Sequence, residues 1–252
     1  MYLIKSLLAE DRRYEDVAVP AAEVEQRRLL RGLMNVRPPR AAGREFLRVQ
    51  DDYLRQELAE EGVTGLDQLR PIDADGQLYL WQGDITTLAV DAIVNAANRQ
   101  MLGCFVPCHG CIDNAIHSAA GMELRQACAQ LMARQGHEEP TGQAKLTPGY
   151  HLPCQYVLHT VGPIITGPVT QRDQALLASC YRACLALAEE HGLASVAFCC
   201  ISTGEFHFPN DLAAQIAVDT VSAWQRDHPQ APAVVFNVFK DEDRALYEAL
   251  LR

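Results

Sequence analysis

The sequence predicts an α/β fold: a central sheet covered by helices on both faces, preceded by a helical extension. Three observations carry this. From Gln77 onward short β-rich runs alternate with longer amphipathic runs, which is how a sheet buried between helical layers reads. Residues 1–70 instead are rich in Leu, Ala, Glu, Gln and Arg and carry helix-period stripes. The 252-residue length suits one large domain with an appendage. We therefore divide the chain into an extension over 1–72 and a main domain over 73–252.

In the extension, Val24, Leu29, Leu30 and Leu33 fall roughly on one helical face. A second stripe of Phe46, Val49, Tyr53, Leu54 and Leu58 follows the Pro-containing break at Val36–Gly43, giving two or three amphipathic helices joined by a turn. In the main domain, Gln77–Gln82 and Ala92–Val94 read as strands and Ile112–Arg134 as helix. Ala144–Leu146 and Tyr156–Thr160 are short β-like runs. Gln171–His191 is a helix stopped by Gly192, as C-terminal glycines commonly do. Ser195–Ile201 and Ala233–Phe239 read as buried strands, Asn210–Arg226 as a helix entered through Pro209, and Asp241–Leu251 as the closing helix.

Composition narrows the function. A net charge of -10 argues against a nucleic acid held on a general basic surface. It leaves room for a local anion site made of backbone N–H groups. The opening MYLIKSLLAEDRRY interrupts its apolar run at Lys5, too soon for a signal peptide or membrane span. Nine scattered cysteines, an odd count, do not form a secreted disulfide framework. The expectation is a reduced, cytoplasmic protein without membrane or nucleic-acid partners.

Ligands of open α/β sheets sit beyond the carboxyl ends of the strands. The segments there are Gly83-Asp84-Ile85-Thr86, Asn95 to Asn98, Ser202 to Phe206, and Phe239-Lys240. Ser202, Thr203, Gly204, Glu205 and Phe206 form a small-residue turn ahead of a helix, able to aim N–H groups at an anion. Asp84 either accepts from an exocyclic amine or caps a helix starting near Thr86; without context, capping is the default. Phe239 either stacks on a base or fills core, with core the default.

The strongest local signal is NAANRQMLGCFVPCHGCIDNAIH, Asn95–His117, which packs Cys104, Cys108, His109 and Cys111 into eight residues. Gly103, Pro107 and Gly110 supply the bends that let such side chains converge on a metal. Two thiolates and one imidazole leave the fourth position of a zinc ion open, as catalytic sites do. Cys108 could replace either neighbouring cysteine or stay a free thiol. The other six cysteines, Cys128, Cys154, Cys180, Cys184, Cys199 and Cys200, lie in helix or strand patterns and read as small hydrophobes. His117 and His159 read as structural histidines.

Taken together and in order, GDIT, DAIVNAAN, DNAIH, HTVGP at His159–Pro163 and ISTGEFHFP at Ile201–Pro209 resemble the macrodomain family over roughly residues 75–252. Macrodomains usually carry a glycine-rich loop between NAAN and the helix start; this chain has MLGCFVPCHGCIDNAIH there. That replacement, with the helical extension, is similar to the zinc-containing subclass of protein-ADP-ribose hydrolases.

The resemblance implies a three-layer αβα sandwich with a mixed sheet that binds ADP-ribose over the strand ends. It implies that Asp84 receives the adenine amine beside the backbone of Ile85, and that Phe239 lies against the base. Ser202 to Phe206 would wrap the diphosphate. Asn98 would hold the distal ribose near Ile112, Asp113 and Asn114, with Asn98 and Asp113 serving catalysis. Cys104, His109 and Cys111 would bind Zn2+. The reaction implied is removal of mono-ADP-ribose from Asp or Glu side chains of a modified protein. A sirtuin-type ADP-ribosyltransferase and a lipoyl-carrier protein are the partners implied. The alternatives are a non-catalytic reader of ADP-ribose, which would not need the metal cluster, and a purely structural zinc site.

Overall fold

The computed structural model describes residues 1–251. The helices are α1 (Tyr2–Ala9), α2 (Glu23–Val36), α3 (Arg44–Glu61), α4 (Ile112–Ala120), α5 (Met122–Gln135), α6 (Gln171–Glu190), α7 (Asn210–Asp227) and α8 (Asp241–Leu250). The strands are β1 (Thr64–Gly65), β2 (Leu78–Gln82), β3 (Leu88–Ala89), β4 (Ala92–Ala96), β5 (Ala144–Pro148), β6 (Tyr156–Thr160), β7 (Ser195–Phe198) and β8 (Ala233–Val238). Among the described residues, no helix is long and apolar enough to cross a membrane.

Six strands form the central sheet in the order β2-β8-β7-β4-β6-β5. All neighbours are parallel except β5, which runs antiparallel to β6. The expected mixed sheet is therefore present, flanked by helices. The central strands β7 and β8 are buried at every residue, matching their predominantly apolar sequence, broken by Ser195 and Asn237, and the demand of a sheet covered on both faces. Pro148 sits at the end of the edge strand β5, where a missing N–H costs the ladder nothing. Because five strands are parallel, the residues following β2, β4, β7 and β8 all gather at one edge of the sheet, and the site is built there.

Three local expectations differ from the structure. The helix expected over Ile112–Arg134 is two helices, broken at Gly121 with φ +90°. A Cβ there would lie 2.8 Å from Gln50 Nε2 and 3.1 Å from Leu54 Cδ1, so α3 packs against the break itself. The strand expected over Ser195–Ile201 ends at Phe198, and the last residues turn into the site. Val24 is 78% exposed, since the stripe that α2 buries is Leu30, Leu33 and Met34.

The extension buries its own cluster of Leu3, Ile4, Leu7, Leu30, Leu33, Met34 and Phe46. It meets the rest of the chain where α2 packs on α4 and where Gln50 accepts from the N–H of Met122 at 3.0 Å and donates to Glu123 at 2.9 Å. The α4–α5 break is thus a docking point for α3.

Candidate active site

At the β2 end, Asp84 is exposed and does cap: its Oδ1 accepts from the N–H of Thr86 at 2.9 Å and its hydroxyl at 2.7 Å. Both bonds use Oδ1, and among the described residues Oδ2 has no hydrogen-bond partner. Ile85 beside it is buried. Phe239, after β8, is 74% exposed, so the default expectation that it fills core is wrong. A large aromatic left in solvent at a strand end is a surface for a flat ligand.

The segment from Asn98 to Cys111 is a loop without regular structure. Asn98 organises its start: its Oδ1 accepts from the N–H groups of Gln100 and Met101 at 3.0 and 3.1 Å, and its Nδ2 donates to the Gly103 carbonyl at 3.2 Å. Gly103 has φ +78°, and a Cβ on it would lie 2.8 Å from the His117 ring. The loop then brings Cys104, His109 and Cys111 together, one ligand atom of each within 4.8 Å of the others. Cys104 Sγ and His109 Nδ1 are 3.6 Å apart. Cys111 Sγ accepts from the N–H of Asn114 at 3.4 Å and thereby caps α4. Burial pushes the Cys111 thiol up to about 12; a bound cation would favour its thiolate. Two soft sulfurs and an imidazole suit zinc chemically. Cys108 points elsewhere, its Sγ donating to the Arg28 carbonyl at 3.3 Å.

Behind the trio, the first turn of α4 places Asp113 at 5% exposure. Its Oδ1 accepts from Asn95 Nδ2 at 2.8 Å, and its Oδ2 stands 3.5 Å from Asn98 Nδ2. Burial raises its carboxyl to about 6, with the Asn95 hydrogen bond and the Arg125 charge opposing. His159 is a satisfied structural histidine: Asn95 Nδ2 faces its Nδ1 at 3.1 Å, and Thr147 Oγ1 its Nε2 at 2.9 Å. His117 is not. Both its nitrogens are buried without a hydrogen-bond partner among the described residues, with Nε2 3.6 Å from Asp113. Five of the remaining cysteines are buried as expected, whereas Cys200 is only half-buried.

After β7, Ser202 adopts φ +67° and His207 φ +56°. The turn is closed by Phe208 N–H donating to the Ser202 carbonyl at 3.0 Å and His207 N–H to Gly204 at 3.0 Å. Among the described residues no backbone carbonyl takes the N–H groups of Gly204, Glu205 and Phe206, and the buried Ser202 Oγ has no partner either. These donors are what an anion-binding turn offers. The exposed Glu205 carboxylate lies 3.5 Å from His109 Nε2. The turn and the cysteine loop therefore face each other across the strand ends.

Residues outside every motif also reach this loop. Arg31 and Asn35 of α2 hydrogen-bond to Asn114 and to Cys108 N–H. Arg125 of α5 donates to the carbonyls of Leu102 and Cys104. The sequence held one clue: Asn35 sits among the apolar residues of α2, where a polar side chain demands a partner.

A family model described as Macro domain matches residues 94–217. The protein-ADP-ribose hydrolase of Treponema medium is 56% identical over 253 residues, covering 100% of this chain and 97% of that protein. The protein-ADP-ribose hydrolase of Staphylococcus aureus strain MSSA476 is 48% identical, with 98% of this chain and 92% of that protein covered. Among solved structures, the Trypanosoma brucei macrodomain in complex with ADP-ribose aligns at TM-score 0.69 and 33% identity, over 84% of this chain and 92% of that one. With the mixed sheet, the strand-end segments and these relatives in agreement, this chain belongs to the macrodomain family.

Proposed function

We propose that the protein is a zinc-dependent hydrolase that removes mono-ADP-ribose from modified protein side chains, most readily Asp or Glu esters. One observation carries the reading. Two thiols and an imidazole converge beside a buried carboxylate and opposite a turn whose Gly204, Glu205 and Phe206 N–H groups have no backbone partner among the described residues. A pure reader of ADP-ribose has no need of such a donor set. Full-length relatives named protein-ADP-ribose hydrolase support it.

In this reading, Asp84 accepts from the adenine amine beside Ile85 and Phe239 lies on the base. The turn Ser202–Phe206 wraps the diphosphate with its N–H groups. Ile112 and Asn114, at the start of α4, line the distal ribose. Asn98 lies by the distal ribose and keeps the loop folded through its bonds to Gly103, Gln100 and Met101, while Asp113 orients the attacking water by accepting its hydrogen bond. A carboxylate leaves the anomeric carbon with little acid assistance, so the residues' task is to hold sugar and water. Cys104, His109 and Cys111 hold the ion, which supplies Lewis acidity at the ribose when bound. A sirtuin-type ADP-ribosyltransferase and a lipoyl-carrier substrate would complete the cycle of modification and removal.

The test is zinc quantification on the purified chain, followed by ADP-ribose release from an ADP-ribosyl-aspartate or -glutamate protein with and without chelator. Replacing Cys104, His109 or Cys111 should remove metal and turnover while only weakening ADP-ribose binding. An active, metal-free triple variant refutes the mechanism. Unfolding on chelation would mark the ion as structural instead.

A further inference from the structure

The extension does more than pack beside the main domain. We propose that Arg31 and Asn35 of α2 are positioning residues for the loop carrying Cys104, His109 and Cys111, making the extension part of the working site. This rests on the reading of those three residues as zinc ligands.

Asn98 ties down the start of the loop, but its later part leans on neighbours. Met101, Gly103 and Cys108 all have positive φ, and Phe105, Val106 and Pro107 are exposed. Within the loop His109 is fixed by its N–H donating to the Val106 carbonyl at 3.2 Å and by Cys104 Sγ 3.6 Å from its Nδ1; Cys108 before it and its own carbonyl are met from α2. Asn35, buried in α2, accepts from the N–H of Cys108 at 2.9 Å. Its amide donates to Ser118 Oγ at 2.9 Å, and that hydroxyl donates to the Asn114 carbonyl at 2.7 Å. The same turn of α2 brings Gly32 against Pro107 and Cys108. Ligand His109 thus follows directly on a residue held by α2.

Arg31 acts one bond further on. Its guanidinium donates to Asn114 Oδ1 at 2.9 Å through Nη2 and 3.3 Å through Nε, and Nη2 lies 3.5 Å from the His109 carbonyl. A forked donor on one amide oxygen fixes which way the amide points. Asn114 Nδ2 is left to donate to the Val106 carbonyl at 3.0 Å, and Asn114 N–H to Cys111 Sγ at 3.4 Å. Arg31 therefore orients the residue that touches both the loop and one ligand sulfur. It also lines, with Asp84, a cleft of about 140 Å³ between the extension and α4. Partners of metal ligands commonly govern affinity in this way.

Mere docking of the extension makes a different prediction, because docking is shared by contacts that never meet the loop. Gln50, fully buried, bonds among the described residues only to the start of α5. The experiment compares Arg31→Ala, Arg31→Lys, Asn35→Ala and Gln50→Ala in the full-length protein. It measures zinc affinity against a chromophoric chelator, amide exchange across residues 99–111 in metal-free protein, and Tm. Arg31→Ala and Asn35→Ala should each lose roughly 10-fold or more in zinc affinity and speed exchange in the loop, with Arg31→Lys recovering part. Gln50→Ala should lower Tm with zinc affinity and loop exchange unchanged.

Zinc affinity kept within about threefold in both α2 variants overturns the proposal, as does an equal loss in Gln50→Ala. If the wild-type chain takes up no zinc, the functional reading fails by itself, and the metal-free exchange rates then decide the role of α2. Exchange unchanged in both variants overturns it; faster exchange confined to the loop upholds it.

Discussion

Arg125→Met removes a buried cation while keeping most of its stem, and its cost can be worked from the bonds it makes. Arg125 is 6% exposed. It donates to the carbonyls of Asn35 and Arg37 at 2.7 Å, Leu102 at 2.6 Å, Met34 at 3.1 Å and Cys104 at 3.4 Å. Its guanidinium carbon lies 4.3 Å from the centroid of the Phe105 ring. Among the described residues no carboxylate forms an ion pair with it, and burial lowers its pKa while Asp113 opposes that shift. The carbonyls of Met34 and Asn35 belong to the last turn of α2, so Arg125 closes that helix end and faces the negative end of its dipole. Each buried acceptor left without a donor costs about 1–3 kcal/mol. Losing the three shortest bonds, less the cation's own desolvation, gives a net of about 3–5 kcal/mol. In a chain of this size that lowers Tm by roughly 10 °C. Urea unfolding of wild type, Arg125→Met and Arg125→Lys measures it, with Lys expected in between because it lacks the fork. A loss below about 1 kcal/mol for Arg125→Met would mean that water replaces the guanidinium at those carbonyls, and the accounting would be wrong.

Three further outcomes are expected. Asp84→Asn keeps the capping oxygen and removes the charge, so it should weaken ADP-ribose binding about 10-fold with Tm unchanged; equal calorimetric affinity would refute the adenine assignment. Phe239→Ala, at a side chain that supports no core, should cost roughly 0.5–1.5 kcal/mol of ADP-ribose affinity and nothing in urea midpoint, whereas loss of stability alone would contradict a stacking role. His159 is held at about 3 by burial, against 6.5 when free. The depressed value means that its contribution is complete above pH 6.5 and lost as pH falls from 6.5 towards 3, by up to about 1.4 kcal/mol per unit. A pH series of urea midpoints should show His159→Gln with a shallower decline than wild type; superimposable slopes would show that His159 titrates normally in the fold.

The sheet was legible because buried parallel strands leave near-continuous apolar runs, as in AVVF of β8 and VAF of β7. The strand-end segments followed from that order alone, and the cysteine loop from residue types that have no other reason to crowd among Gly and Pro. Gly121 lies inside the span expected as one helix, Ile112–Arg134, where a single glycine need not mark a break. Its meaning came from Gln50 and Leu54, distant in sequence, pressing on its open side. Phe239 was misjudged because local pattern cannot distinguish the last buried residue of a strand from the first exposed one.

What stayed hidden is the long-range polar wiring, and one physical reason covers it. Arg31, Asn35 and Arg125 sit on ordinary amphipathic helices, where an isolated polar residue usually meets water. Their partners are mostly backbone carbonyls and N–H groups, which leave no mark in side-chain pattern. A loop with several positive-φ residues and exposed apolar side chains needs external donors and acceptors to be singular in shape. Given that demand, an extension whose apolar stripe is bordered by Arg31 and Asn35 is where those groups should be sought. The cysteine loop and the leading helices are accordingly two halves of one structural unit: shortening either without the other should leave the remaining half's polar groups buried and unpaired.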